Sequence, residues 1–167
     1  MKVFKPEVNG DTVLRLWRKA QRIPGGQRIF SRFVGRMAPY TATIKARVLE
    51  LDAGYARLRL EDRREIRNHL GCIHAIALVN FLEETTGLAM ISRFSKGLRG
   101  IVTRIEIDYV KKARGTLAAE CRVPEVDPDV GGEYTAEAEI KDARGDVVAR
   151  GRAHWRVGRA PKAVPAA

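Results

Sequence analysis

The segment RNHLGCIHAIALVNFLEETTGLAM, residues 67–90, decides the fold of this chain. From Ala75 onward it predicts a single helix, because it has no proline and its first glycine is Gly87, near the end. Apolar residues occupy almost every side of this helix, and a helix that is apolar all round is buried. The exception is a polar stripe, formed at spacings of three and four by Asn80, Glu83, Glu84 and Gly87. A buried carboxylate is costly unless it is paired, hydrogen-bonded or open to a cleft, so the two acids on this helix need an explanation.

Strand-like alternation flanks the helix on both sides. Before it, residues 44–60 alternate around a turn at 52–54, which predicts a hairpin. After it, about four more strands follow, with turns at Gly115, at Gly131-Gly132 and at residues 143–146. In the first of these strands we expect one apolar face made of Ile101, Thr103, Ile105, Ile107 and Tyr109. A sheet with one apolar face is antiparallel and half buried, so the sequence predicts an α+β fold in which a curled sheet wraps one long central helix.

Two short amphipathic helices precede the sheet. Asp11 is the predicted N-cap of the first, Pro24-Gly25-Gly26 separates the two, and Pro39 ends the second. Their outer faces are basic, so they would either cover a sheet edge or touch a membrane, and their moderately wide apolar faces favour covering. We therefore predict a helical segment over residues 1–39, one domain over 40–157 and a flexible tail over 158–167.

The chain is strongly basic, with 31 Lys and Arg against 20 Asp and Glu and a net charge of +11. Such a field favours nucleic acid, an anionic membrane surface or a phosphate-bearing ligand. The charges are scattered, however, and no zinc finger, helix-turn-helix or aromatic RNA-binding signature accompanies them. Nucleic-acid binding is therefore the minor interpretation.

Cysteine usage and hydropathy indicate the compartment. Cys72 and Cys121 give neither a disulfide framework nor a zinc spacing, so we expect no metal site. The N-terminus lacks the apolar stretch of a secretory signal, and the nearly apolar run over residues 73–82 is too short to span a bilayer. These features predict a cytoplasmic protein without a membrane span.

One motif resembles that of a known family. Asn68-x-x-Gly71-x-x-His74, followed nine residues later by Glu83, resembles the motif of phenylacetate-pathway-type acyl-CoA thioesterases. These enzymes have the hotdog fold, a curled sheet around one long helix. Residues 109–120 also resemble the strand, turn and strand that follow the helix in that family. After the histidine this chain has Ala75-Ile76 where the family has Gly-Gly, and it resembles an uncharacterised hotdog subfamily most closely.

The resemblance implies a role for each motif residue. Backbone N–H groups of Ala75 and Ile76 would polarise the thioester carbonyl, with the helix dipole reinforcing them. Glu83 would act as a general base on water or attack the carbonyl directly, and Asn68 would orient the water or the thioester. His74 would have a positional role, and Gly71 and Ile76 would lie against the substrate.

The resemblance also implies partners. Coenzyme A would enter as part of the thioester substrate, and no cofactor is expected. Its phosphates would lie against basic side chains in the turn between those two strands, namely Lys111, Lys112 and Arg114. Because the two halves of a hotdog site come from different subunits, a homodimer or a dimer of dimers is implied.

Several alternatives stay open at this stage. The Ala75-Ile76 departure favours a non-catalytic protein that binds acyl-CoA or an acyl carrier, and a fold-related dehydratase would need a local pattern that is absent. Glu83 would otherwise pair with an arginine across the dimer interface. Glu84 is expected to be solvated or ion-paired and His154 to be solvated, and the Cys72–His74 spacing is weak evidence for a nucleophile.

Overall fold

Six strands and one long helix form the body of the protein. The computed structural model describes residues 9–127 and 131–159. Its helices are α1 (Gly10–Gln21), α2 (Gly26–Met37) and α3 (Ala75–Ile91). Its strands are β1 (Arg47–Asp52), β2 (Tyr55–Leu60), β3 (Leu98–Tyr109), β4 (Leu117–Arg122), β5 (Gly132–Lys141) and β6 (Val147–Arg159). They form one antiparallel sheet in the order β1-β2-β4-β5-β6-β3.

The sheet curls around α3, which supplies much of the core. Phe81, Leu82 and Met90 on this helix are fully inaccessible, as are the strand residues Leu58, Leu60, Leu117, Ile140 and Val148. Each such side chain contributes about 1.5–3 kcal/mol by leaving water. The predicted α+β class and the sheet wrapped around one central helix are confirmed.

The N-terminal helices lie beside the edge strand β1. The Val48 N–H donates to Ser31 Oγ at 2.9 Å, and Gln27 Nε2 donates to Leu49 O at 3.2 Å. α2 therefore covers the edge strand β1, which is the role that the width of its apolar face predicted. The cap of α1 differs from the prediction: Asn9 Oδ1 accepts from the Thr12 N–H at 2.9 Å, so Asp11 lies in the first turn instead.

Two element boundaries differ from those that the alternation of apolar and polar residues predicts. Thr41–Ile44 forms a 3₁₀ turn and β1 begins only at Arg47, because Lys45 adopts a left-handed conformation that redirects the chain. At the other end, β6 continues to Arg159, two residues into the predicted tail. The rest of that tail and residues 1–8 lie outside the described residues.

A β-bulge in β3 changes which side chains face the core. The register against β6 shifts between Val102 and Arg104, so Thr103 is an extra residue. Val102 and Ile105 therefore pack on the core, while Ile101 is 65% exposed. The prediction that Ile101 shares the face of Ile105 and Ile107 is wrong, because one inserted residue reverses the alternation. β3 pairs with β6 alone, so it is the second edge of the sheet in the described chain.

Replacing Lys45 by glycine is expected to stabilise the protein. Lys45 has φ 52°, a region that costs a residue with a Cβ about 1 kcal/mol or more. We expect Lys45→Gly to raise the free energy of unfolding by about 1 kcal/mol in urea denaturation. Lys45→Ala keeps the Cβ and should give no gain; an equal gain in both variants would show that the lysine side chain, not the backbone, is responsible.

Candidate active site

A tight turn before α3 is built by two motif residues. Asn68 Oδ1 accepts from the N–H groups of Leu70 at 2.9 Å and Cys72 at 3.2 Å, and the Asn68 N–H donates to Cys72 O at 2.8 Å. Gly71 has φ 67°, a conformation that glycine adopts without strain. The Asn68 oxygen is thus used by the turn, whereas its Nδ2 group has no partner among the described residues.

His74 is the N-cap of α3. Its Nδ1 accepts from the Ile76 N–H at 3.1 Å, so the imidazole occupies one of the two backbone donors expected to face a substrate. The Ala75 N–H has no acceptor among the described residues. It therefore lies free at the positive end of the helix dipole, where a developing oxyanion is stabilised.

Tyr109 and Asp62 support this helix start, although no local pattern in the sequence indicates this role for either residue. Tyr109 Oη donates to Ala75 O at 3.2 Å. Asp62 accepts from Arg67 Nε at 2.6 Å and from the Gly115 N–H at 2.9 Å. Burial alone would raise the pKa of Asp62, but these hydrogen bonds hold it below its ordinary value. The Asp62 carboxylate therefore fastens the loop before α3 to the turn before β4.

Glu83 is half-buried in the middle of α3. Its carboxylate has no hydrogen-bond partner among the described residues, and burial raises its pKa above the ordinary value. Gly87 leaves space beside it: a Cβ there would lie 3.7 Å from Glu83 Oε1 and 3.6 Å from the Trp155 ring. An unpaired carboxylate with a raised pKa is a stronger base than an ordinary glutamate.

The two parts of the candidate site are far apart within one chain. Asn68, Gly71, His74 and Ala75 lie together at the start of α3. Glu83 follows His74 by nine residues, which places it about 13.5 Å further along the helix. The Ala75 N–H and the Glu83 carboxylate of one chain therefore cannot reach the same carbonyl group.

The three predicted phosphate-binding residues have different surroundings. Lys111 Nζ lies 2.8 Å from Asp142 Oδ2 and 2.6 Å from Asp146 Oδ2, so its charge is compensated. Arg114 Nη2 donates to Leu70 O at 3.4 Å, which places it beside the loop before α3. Lys112 is exposed and has no ion pair among the described residues.

The expectations for Glu84 and His154 are wrong. Glu84 is 7% exposed, and its Oε2 has no hydrogen-bond partner in the described part of the chain. Burial, reinforced by the neighbouring Glu83, raises the pKa of Glu84 to about 8. His154 is half-buried rather than solvated, because Nε2 lies 2.9 Å from Glu106 Oε1 and Nδ1 lies 3.1 Å from Thr135 Oγ1 on the adjacent strands.

The buried carboxyl of Glu84 should make stability depend on pH. The folded chain keeps its proton up to about pH 8, whereas the unfolded chain releases it near pH 4.5. The free energy of unfolding therefore falls as the pH rises between these values, by up to about 1.4 kcal/mol per pH unit. We expect Glu84→Gln to flatten this slope in urea denaturation at pH 5.5, 6.5 and 8.

Glu125→Gln is the control for this prediction, because that side chain is exposed. It should keep the slope of the wild type. Glu83, whose pKa is also raised, should account for the slope that remains in Glu84→Gln. A slope unchanged by Glu84→Gln would show that Glu84 is ionised in the folded protein.

Neither the two cysteines nor a metal site extends the candidate site within the described residues. Both cysteines are buried, and burial raises the pKa of Cys121 to about 12, so this thiol is a poor nucleophile. Within residues 9–127 and 131–159, no cluster of three His, Cys, Asp or Glu side chains could hold a metal ion. No described helix has the length and hydropathy needed to cross a bilayer.

Several solved structures share this architecture. A protein from structural genomics is 29% identical with a TM-score of 0.76, covering 89% of this chain and 99% of its own. A probable thioesterase from Pseudomonas aeruginosa is 22% identical with a TM-score of 0.68, covering 83% and 97%. The PaaI protein of the Escherichia coli phenylacetic acid degradation operon is 17% identical with a TM-score of 0.61, covering 78% and 95%. The predicted hotdog fold is confirmed. No curated protein matches the chain significantly.

A family model covers most of the chain. The domain of unknown function DUF4442 matches residues 26–157, a range that begins with α2 and ends within β6. It therefore includes α3, the turn before it and every candidate site residue. This chain belongs to the DUF4442 family and has the hotdog fold.

Proposed function

We propose that this protein is a thioesterase that hydrolyses a coenzyme A thioester to a free acid and coenzyme A. The observation that carries the proposal is Glu83, a half-buried carboxylate without a partner among the described residues and with a raised pKa. An unpaired acid on an otherwise apolar helix is costly for folding, so a catalytic use is the natural explanation.

The active enzyme is a homodimer, or a dimer of dimers, in this proposal. The 13.5 Å or so between His74 and Glu83 means that the acid of one chain needs the helix start of another. β3 offers a surface for that pairing, because it is a 12-residue edge strand with exposed apolar side chains at Ile101 and Tyr109. Such an edge readily adds a second strand, and a twofold axis would place two identical sites in the dimer.

The residues have distinct tasks in the reaction. The Ala75 N–H donates to the thioester oxygen as negative charge develops on it, while the dipole of α3 adds to the effect. Glu83 takes a proton from water as the water attacks, or attacks the carbonyl carbon itself to give an anhydride that water then opens. In both routes the C–S bond breaks and the departing thiolate takes a proton. Asn68 Nδ2 orients the water or the thioester.

Substrate binding uses the loop before α3. Gly71 and the exposed side chain of Ile76 lie against the acyl group or the pantetheine arm, and Arg114 and Lys112 hold phosphates of coenzyme A. Lys111 contributes less than these two because its charge is already compensated by Asp142 and Asp146. No cofactor is needed, and the cytoplasmic location stays a prediction.

Release of free thiol from a panel of acyl-CoA esters tests the proposal. Short, long and aromatic acyl groups are assayed separately, and hydrolysis of at least one by the wild type is the expected result. The second candidate is a protein that binds acyl-CoA or an acyl carrier without cleaving it. The occupied Ile76 N–H favours this alternative, because one of the two expected donors is lost to His74. Tight binding of the esters with no thiol release by wild type or Glu83→Ala would establish it.

A further inference from the structure

A basic cavity lies between α2 and α3, apart from the candidate active site. It has a volume of about 620 Å³ and lies beneath α2, next to the segment that joins α2 to β1. None of the motif residues at the start of α3 lines it, and neither does Glu83. A volume of this size is typical of a small-molecule site. The cavity therefore needs an explanation of its own.

Five positive side chains line the cavity: Arg28, Arg32, Arg36, Lys45 and Arg47. None of the five forms an ion pair with a carboxylate in residues 9–127 and 131–159, whereas arginines on the open face of the sheet, such as Arg57 and Arg152, do. Like charges gathered around one cavity repel each other. An anion that carries several charges would relieve this repulsion.

The spacing of the arginines indicates how large that anion is. Arg28, Arg32 and Arg36 recur every four residues on one face of α2, so successive guanidinium groups start about 6 Å apart along the helix. A carboxylate presents two oxygens and one charge, which suits a single arginine. A phosphate or diphosphate presents more oxygens and more charge, and it can contact two or three of these groups together.

Glu84 is the lining residue that α3 contributes. Its side chain is buried, and its Oε2 has no hydrogen-bond partner among the described residues. Since burial raises its pKa to about 8, the carboxyl is protonated at neutral pH and carries an O–H donor. A neutral acid can donate a hydrogen bond to a phosphate oxygen, whereas an ionised one would repel it.

We propose that this cavity binds a small molecule through a phosphate or diphosphate group, held by the arginines of α2 and by a hydrogen bond from the carboxyl of Glu84. The site goes beyond thioester hydrolysis, because it shares no residue with the proposed catalytic machinery. It also gives the basic face of α2 a ligand instead of a merely solvated surface.

Calorimetric titration with inorganic pyrophosphate tests the site directly. At pH 7 and constant ionic strength we expect the full-length wild type to bind it, and Arg32→Gln to weaken binding at least tenfold. Arg15→Gln is the matched control, because Arg15 is an exposed arginine of α1 that does not line the cavity. It should change the affinity less than twofold. No binding by the wild type, or equal losses in both variants, would overturn the proposal.

Two substitutions test the part assigned to Glu84. Glu84→Gln keeps a donor and should bind as the wild type does at pH 7. At pH 9 it should bind more tightly than the wild type, in which Glu84 has ionised. The neighbouring charged group on α3 is Glu83. The charged groups that share the cavity lining with Glu84 are Arg28, Arg32, Arg36, Lys45 and Arg47. Glu84→Leu removes the donor and should weaken binding about tenfold; wild-type affinity in this variant would contradict the proposed hydrogen bond.

Competition experiments identify the source of the phosphate. If coenzyme A displaces pyrophosphate, and Arg32→Gln weakens both, the cavity receives the diphosphate of the proposed substrate in place of Lys112 and Arg114. If coenzyme A does not compete, another phosphorylated small molecule is the ligand. Pyrophosphate binding is measured without any thioester, so failure of this proposal and absence of thioesterase activity are separate results.

Discussion

Replacing Glu83 by glutamine is expected to lower kcat for thioester hydrolysis by at least about 100-fold. Glutamine keeps the size of the side chain and one oxygen, but it can neither accept a proton at neutral pH nor attack a carbonyl group. Because the interaction is made in the transition state, KM should stay close to that of the wild type. The measurement is thiol release under initial-rate conditions with whichever ester the wild type cleaves best.

The pH profile gives a second test of the same residue. Glu83 must be deprotonated to act, and its pKa is raised by burial. Wild-type activity should therefore rise with pH through a value above the ordinary 4.5 of a glutamate. Glu125→Gln removes an exposed carboxylate and should leave both the rate and this profile unchanged. An unchanged kcat in Glu83→Gln would remove Glu83 from the mechanism.

Ile101→Lys is expected to yield a monomer that has lost at least about 90% of its activity. Ile101 is 65% exposed on the free edge of the sheet, so the substitution removes little packing within one chain. A lysine on an edge strand opposes pairing with a second strand, as it does in natural edge strands. Because each proposed site uses the helix start of one chain and the acid of another, dissociation should abolish hydrolysis.

Ile29→Lys is the matched control for the edge variant. Ile29 is 53% exposed on α2, away from β3, so this variant should remain a dimer with full activity. Sedimentation velocity at micromolar concentration gives the oligomeric state, and the thiol assay gives the activity. A wild type that is monomeric and active, or an Ile101→Lys monomer with full activity, would show that the site is complete within one chain.

The apolar composition of residues 75–90 predicted α3 and its place in the fold, because burial is the dominant constraint on a helix whose polar residues form only a narrow stripe. The same argument could not separate Glu83 from Glu84. Both belong to one polar stripe in the sequence, but they lie about 100° apart around the helix, and only Glu84 lines the cavity that α2 and the segment after it border. That distinction depends on tertiary packing between segments about fifty residues apart.

The bulge at Thr103 and the contact from Tyr109 to Ala75 could not be predicted from the sequence, for similar reasons. Alternation assumes that every residue of a strand is paired, so a single inserted residue changes the face of Ile101 without any sign in the pattern. The Tyr109 hydroxyl reaches a residue 34 positions earlier, and a long-range hydrogen bond has no local signature. By contrast, the turn formed by Asn68 and Gly71 is local, and the motif pointed to both residues, although it assigned them to the substrate and not to a turn.

The space at Gly87 gives the protein an intrinsic optical reporter. The indole of Trp155 and the carboxylate of Glu83 both border that space, so the emission of this tryptophan should respond to whatever enters beside the acid. The chain has one other tryptophan, Trp17, which is buried against Phe30 in the N-terminal helices. With Trp17 changed to phenylalanine, fluorescence alone would report the arrival of an acyl group without a label or a coupled assay.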